Sequence, residues 1–363
     1  MDKRLAIVNH NLGSGGAEKL IYDMALELKE RKINFSVILL TSINDIYGKK
    51  LQQEGIEVIY LSNKWDIYNP KNILKLKNIL KEYDVIHTHI YAAQLWTAFS
   101  SLLLDKNKKY VTTEHSTNNN RRGKIYFKFL DRWMYSKYNT IISITKNVQE
   151  ELEKWLGLKL NYKIIKNGIN LKIYTQSHKA VRKNFNLEES DKLICQVARF
   201  NEVKTHETTI EALKLLPENY KVVLLGEGET KEKIEEMVKK YDLNGRVLFL
   251  GYRSDVAEII KMCDISILTS KYEGLPISAI EAMYLNPFIG SNVLGIKELV
   301  ENVGELFEYK NYIELSDKIK SLIENKTKYF EVKIRCFNKA KEYTIEETIK
   351  NYIKIYKEID KNE

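Results

Sequence analysis

Arg199 and Lys204 follow a strand-length apolar run, Leu193–Ala198, and precede a helical pattern. A guanidinium and an ammonium placed there can neutralise a diphosphate, the guanidinium through two parallel hydrogen bonds. In a lysine-rich chain two cations are ordinarily surface charge, so the argument for a ligand rests on their position after a strand. A second cluster, Lys271 to Met283, follows the apolar run Ile265–Leu268. Gly274 permits a tight backbone, and Pro276 suits a first helical position. The N–H groups around Leu275, Ile277 and Ser278 would then point from a helix N-terminus at an anion or at sugar hydroxyls. Glu281, about one turn further in, can accept hydrogen bonds from a diol such as a ribose, and Glu273 can do so for a second set of hydroxyls. Two acceptors flanking an anion site suit a nucleotide sugar. For one Glu alone, helix-dipole complementarity is the plainer account.

The turn Gly13-Ser14-Gly15-Gly16-Ala17-Glu18 also joins a strand to a helix. Its N–H groups can hold an anion, or it is simply a tight turn. It is not a dinucleotide fingerprint, because Glu18 stands where Gly-x-Gly-x-x-Gly needs its last glycine. Gly226-Glu227-Gly228 fails the same test at Lys231 and reads as a tight turn. Neither loop closes in the Gly-Lys-Ser/Thr of a P-loop. His87 and His89 alternate on a strand and share a face. With no third ligand at a suitable spacing, they read as the lining of a strand end rather than a metal site. Residues 121–135 mix cations with aromatics. They form a surface helix packed by its aromatic side, or they lie against anionic lipid or nucleic acid.

The elements that must position these groups alternate from end to end. Strand-length runs fall at Leu5–Val8, Phe35–Leu40, Glu57–Leu61, Val85–His87, Lys109–Thr113, Thr140–Ser143 and Lys163–Ile165. Helical patterns cover Ala17–Arg31 and Asn72–Glu82. The pattern restarts with strands at Leu193–Ala198, Tyr220–Leu225, Val247–Leu250, Ile265–Leu268 and Pro287–Gly290. Helices are expected over Thr205–Leu216, Thr230–Tyr241, Tyr312–Glu324 and most of Glu331–Tyr356. This alternation predicts parallel sheets covered by helices, in two doubly wound halves facing across a cleft. The polar, strand-poor stretch from Asn167 to about Ser190 joins them.

Composition agrees with two globular domains. The chain has 363 residues, 44% hydrophobic and 29% charged, with only 4 Pro. Three distant cysteines, Cys195, Cys263 and Cys336, give no disulfide framework and fit a reducing compartment. The net charge of +9 favours anionic partners, or simply a lysine-rich surface. The start, Met1-Asp2-Lys3-Arg4, has no signal-peptide pattern, and the apolar stretch Ala92–Leu104 is too short and polar to span a bilayer.

Together these landmarks resemble the family-4 glycosyltransferases of GT-B fold. Glu273-x7-Glu281 with Gly274 looks like that family's signature. Arg199 and Lys204 lie where it has an Arg/Lys pair. Gly15-Gly16-Ala17-Glu18 matches its N-terminal turn, Asp84–His89 its mid-domain strand, and Asn167-Gly168-Ile169-Asn170 its interdomain segment. The likeness is collinear from about residue 5 to 310. It implies an α/β fold with an acceptor-binding Rossmann-like domain over 1–168, a nucleotide-sugar domain over 169–342, and a helix at about 343–363 packing back on the first. It also implies roles. Arg199 and Lys204 would stabilise the leaving diphosphate, Glu281 would hold the ribose and Glu273 the transferred sugar. His115 falls where the family has a histidine near the donor sugar. Gly274, Leu275, Pro276, Ile277, Gly15 and Gly16 would approach the donor, and His89 and Asn167 the acceptor.

The reaction so implied is retaining transfer of a hexose or N-acetylhexosamine, from a uridine-linked donor, to a saccharide or lipid-linked saccharide. It would serve capsule or lipopolysaccharide assembly in the cytoplasm, at the inner face of the plasma membrane. No cofactor, divalent metal or nucleic acid is expected, and the sequence has no Asp-x-Asp pair. The rivals are a non-catalytic membrane- or RNA-binding protein using residues 121–135, a GT-B sugar-nucleotide epimerase, and an NAD-dependent oxidoreductase, against which both failed glycine fingerprints count. Three departures bear on loop geometry: Asn286 where the family has Gly, Val293-Leu294-Gly295 for its Gly-Gly, and Asn170 for its Asp.

Overall fold

The computed structural model describes residues 3–13, 15–116 and 121–359. The chain divides into two units, Met1–Gly168 with Ile345–Glu363, and Ile169–Thr344. In the first unit the strands are β1 (Leu5–Asn9), β2 (Phe35–Leu39), β3 (Val58–Tyr60), β4 (Val85–His89), β5 (Lys109–Glu114), β6 (Thr140–Ser143) and β7 (Tyr162–Ile164). They form one sheet in the order β3-β2-β1-β4-β5-β6-β7, every pair parallel. β1 and β4 are adjacent, so the connections from β1 and from β4 leave in opposite directions along the sheet. That is the topological switch point at which such sheets bind ligands.

β1, β4 and β5 are buried along their whole length. Helices cover both faces, and β1 accordingly reads as an apolar run, whereas β4 and β5 bury His87, Thr88, His89, Thr112 and Thr113 along with their apolar residues. One face packs under the helix Gly16–Glu30 and the returning helix Ile345–Glu358, which supplies Ile345, Ile349, Tyr352, Ile355 and Tyr356 to the core. The other packs under the helices Lys71–Leu80, Tyr91–Ser101 and Ile125–Tyr135. Tyr91–Ser101 was legible only as an apolar stretch, because almost every residue of it is buried and no polar face marks the helical period.

The second unit repeats the plan with β8 (Lys192–Val197), β9 (Tyr220–Leu225), β10 (Val247–Gly251), β11 (Ile265–Leu268), β12 (Phe288–Ser291) and β13 (Glu305–Phe307), in the order β10-β9-β8-β11-β12-β13, again all parallel. Its switch point lies between β8 and β11. The expected helical stretch Glu331–Tyr356 is two helices, Lys326–Ala340 and Ile345–Glu358, and the chain passes back to the first unit in the gap between them. The two ends of the second unit meet as a parallel bridge, Ile169 with Thr344. The polar join is ordered by a buried guanidinium. Arg182 donates to the carbonyls of Glu188, Glu189 and Asp191 at 3.1, 3.1 and 2.8 Å. Among the described residues no helix is long and apolar enough to cross a membrane.

Candidate functional site

In the second unit the expected charged residues flank the switch point. Arg199 leaves the end of β8 and is exposed, with no side-chain partner among the described residues. Its loop is clamped against the loop after β9. A Cβ on Gly226 would sit 2.1 Å from the Ala198 carbonyl oxygen, and one on Gly228 2.1 Å from that of Phe200. Both glycines also have left-handed φ, 140° and 153°. The tight turn read from the sequence therefore holds the backbone on either side of Arg199, and only glycine permits that approach.

The Lys204 ammonium pairs with Glu273 Oε1, both side chains largely buried. Sequence reasoning gave these two separate duties; the structure joins them across the gap between the β8 and β11 loops. A network not read from the sequence fixes the lysine. Thr269 Oγ1 donates to the Lys204 carbonyl at 2.8 Å, and Gln196 Nε2 donates to Thr269 Oγ1 at 3.2 Å. Thr205, next to the lysine, adopts φ 37° and binds the Thr269 carbonyl through its hydroxyl. A β-branched residue rarely takes that conformation, so the local strain is held in place by buried hydrogen bonds.

The helix Ile277–Leu285 begins one residue later than expected. Pro276 is the residue before its first turn, in an extended conformation with ψ 104°, and no side chain caps the turn. The first N–H groups of this helix are therefore open to an external acceptor. Leu275, Pro276 and Ile277 bury their side chains, which leaves backbone as the means of contact with a ligand. Glu281 is 8% exposed, and Tyr174 Oη donates to its Oε1 at 2.5 Å. Tyr174 lies 107 residues away in sequence, and no local pattern points to it.

In the first unit the matching rim carries little charge. Gly15 caps the helix that Gly16 begins, and the Glu18 carboxylate folds back over it, 2.1 Å from where a Cβ would stand. The helix N-terminus read as an anion seat thus already faces a carboxylate of its own, as in the second half of a capping box. Ser14 lies outside the described residues. His89 at the end of β4 is fully buried, and its Nδ1 lies 3.0 Å from His115 Nε2. That corrects His89 as a direct acceptor contact, because no surface of its ring is exposed. His115 is half-buried, and its Nδ1 has no partner among the described residues. His87 is held by Tyr356 Oη at 2.6 Å and Thr113 Oγ1 at 2.8 Å. Burial lowers His87 to about 3 and His115 to about 4, and drives His89 well down. All three rings are neutral at pH 7. Among the described residues no group of three His, Cys, Asp or Glu side chains is placed to hold a metal ion. Asn167 is 2% exposed, so its side chain, like that of His89, is not presented to an acceptor.

Residues 121–135 satisfy parts of two readings. Met134 and Tyr135 pack into the unit, and Arg121 lies over the Tyr91 ring at 3.4 Å. Ile125, Tyr126 and Phe129 point outward, 66%, 62% and 68% exposed.

Comparison with known proteins decides the family. Residues 14–173 match glycosyltransferase family 4, and residues 177–343 match the glycosyl transferases group 1 family. The chain belongs to the family-4 glycosyltransferases. It is 27% identical to an N,N'-diacetylbacillosaminyl-diphospho-undecaprenol alpha-1,3-N-acetylgalactosaminyltransferase of Campylobacter jejuni, over 92% of this chain and 94% of that protein. It is 25% identical to the N-acetyl-alpha-D-glucosaminyl L-malate synthase of Bacillus anthracis, over 77% and 76%. Its fold is that of Anabaena HepE, solved with UDP and glucose, at TM-score 0.84, 20% identity and coverage of 98% and 100%. The two Rossmann-like sheets are those of the GT-B fold.

This glycosyltransferase accommodates its three departures locally. Asn286 ends its helix in an extended conformation and donates its amide to the Ile260 carbonyl at 2.6 Å, so the missing glycine is replaced by a buried tether. Gly295, at φ 83°, packs against the Glu273 carbonyl, which would lie 2.3 Å from any Cβ at this position, and supports the backbone of Glu273 and Gly274. Asn170 caps the helix Leu171–Gln176 by accepting from Lys172 N at 3.1 Å, a duty Asp performs equally.

Proposed function

We propose that this glycosyltransferase moves a hexose or N-acetylhexosamine from a uridine diphosphate sugar to a saccharide or lipid-linked saccharide, with retention of configuration and without a divalent metal. The observation that carries this reading is the second unit's switch point, where Arg199, the Lys204–Glu273 pair and an uncapped helix N-terminus surround one place. Arg199 and Lys204 bind the diphosphate. The Ile277–Leu285 N-terminus adds backbone N–H groups, and Glu281, oriented by Tyr174, accepts from the ribose. Glu273 releases Lys204 to the phosphate and turns to the hydroxyls of the transferred sugar.

As the bond between the anomeric carbon and the diphosphate breaks, charge builds on the leaving oxygen, where the two cations stabilise it. The acceptor oxygen bonds to the anomeric carbon, and its proton passes to the departing phosphate. His115, neutral at working pH, contributes hydrogen bonds near the donor sugar rather than charge. The Campylobacter relative's lipid-linked acceptor and the HepE complex with UDP and glucose support the choice of substrates. Ile125, Tyr126 and Phe129, beside Lys124 and Lys128, suit the anionic inner face of the plasma membrane. Surface-polysaccharide assembly is the setting that follows.

Thermal shift against UDP, GDP, ADP and their sugar conjugates, without metal, tests the reading. Stabilisation by the uridine compounds, abolished in Lys204→Ala, is expected. Stabilisation by another nucleotide would reassign the donor, and no shift at all would remove the donor site.

A further inference from the structure

One loop at the first unit's sheet rim leaves two aromatic side chains uncovered. The segment after β3 holds Trp65 and Tyr68 in the open, 55% and 60% exposed. A floppy loop with two aromatics would need no explanation, since single exposed apolar residues are common. This loop is tied down. Thr41 Oγ1 donates to the Lys64 carbonyl at 2.7 Å, Trp96 Nε1 to that of Ile67 at 2.6 Å, and Asn72 Nδ2 to that of Asp66 at 3.2 Å. All three donors belong to buried residues. The backbone is thus fixed from below while the rings are left in water.

One of the two rings, that of Trp65, sits beside an imidazole. His10, one residue past β1, meets Trp65 edge to face at 6.5 Å; its Nδ1 is buried without a partner among the described residues, which leaves the other ring nitrogen, Nε2, to serve a ligand. Burial lowers His10 to about 4, so it carries no charge at pH 7. A rigid aromatic face with an uncharged imidazole at its edge matches one ligand chemistry in particular. A pyranose offers an apolar C–H face to an indole and hydroxyls to a neutral nitrogen. We infer that Trp65 and His10, with Tyr68 exposed on the same tethered loop, form a saccharide subsite for the acceptor glycan, an inference that rests on the transferase reading proposed above.

The test uses the full chain and two independent readouts. UDP affinity is measured by calorimetry. Saccharide binding is measured by saturation-transfer NMR and tryptophan emission with methyl glycosides of glucose, galactose, N-acetylglucosamine and N-acetylgalactosamine, and with chitobiose and lactose. At least one saccharide should bind wild type. Trp65→Ala should weaken it about tenfold or more, Trp65→Phe less, and neither should alter UDP affinity. An unchanged saccharide affinity in Trp65→Ala, or no binding to wild type by any of the set, overturns the subsite. Failure of UDP to bind would instead strike the donor reading and leave the saccharide result standing.

Discussion

The two units share one strand plan yet treat their binding rims in opposite ways. The second concentrates charge: Arg199 is exposed, and Lys204 and Glu273 face each other. The first keeps little of it, with His10, His87, His89 and His115 all held neutral by burial. A leaving diphosphate needs fixed cations, and their worth rises where water is scarce. A hydroxyl-bearing acceptor needs shape and neutral hydrogen bonding, because a charge there would bind solvent or the wrong ligand. In the proposed reaction one topology would serve both ends of the transfer by changing the residues after its strands.

The contrast can be broken most severely at Lys204. Lys204→Ala should lower kcat by about 100- to 1000-fold, while far-UV circular dichroism and Tm stay near wild type. Near-normal turnover would mean that charge in the second unit is not what drives departure of the diphosphate.

Acid should break the first unit before the second. Four of its histidines have folded pKa values below their unfolded value of about 6.5, so the unfolded chain binds more protons in that range. The stability they contribute is complete above about pH 6.5 and is lost as pH falls towards 4, by a few kcal/mol. The second unit has one such group, His206, lowered to about 4 by burial. All four tryptophans, Trp65, Trp96, Trp133 and Trp155, belong to the first unit. Urea unfolding followed by tryptophan emission therefore reads that unit alone. A midpoint independent of pH between 7 and 4.5 would contradict the neutral-rim account.

A finer probe is the network under Lys204. Thr269→Val keeps the shape but removes the hydroxyl that donates to the Lys204 carbonyl. One buried hydrogen bond is worth about 1 kcal/mol, so UDP affinity should fall severalfold to tenfold in calorimetry, with saccharide binding unaffected. The smallest effect expected is that of salt. Between 50 and 500 mM, screening should weaken UDP binding a few-fold, yet leave saccharide affinity flat. A salt-sensitive saccharide would mean that charge, rather than the aromatic face, dominates its binding.

Much of this division was legible in residue order. Thr140–Ser143, Tyr220–Leu225 and Ile265–Leu268 are strands where the apolar runs placed them, because a parallel strand covered on both faces is mostly apolar. Arg199 and Lys204 could be named because they follow a strand, and Glu273 and Glu281 because they lie on either side of a helix start. Helices without a polar face were not legible: Tyr91–Ser101 is buried all round, and Val256–Met262 is too short to show its period. Partners distant in sequence were not legible either. Tyr174 reaches Glu281, and Tyr356 reaches His87, across 107 and 269 residues. Nor could spacing show that Glu18 covers Gly15, since that depends on a side-chain rotamer.

The returning helix Ile345–Glu358 has a consequence for how the protein is made. Its five core residues complete the first unit, yet the ribosome delivers them only after all of residues 169–344. At roughly 5–20 residues per second, that interval is of the order of ten to thirty seconds. Through it the nascent first sheet has one apolar face without its last cover, and His87 lacks Tyr356. The part synthesised first is the part finished last, so chaperone demand should centre on the amino-terminal half and grow with any pause in translating the second unit.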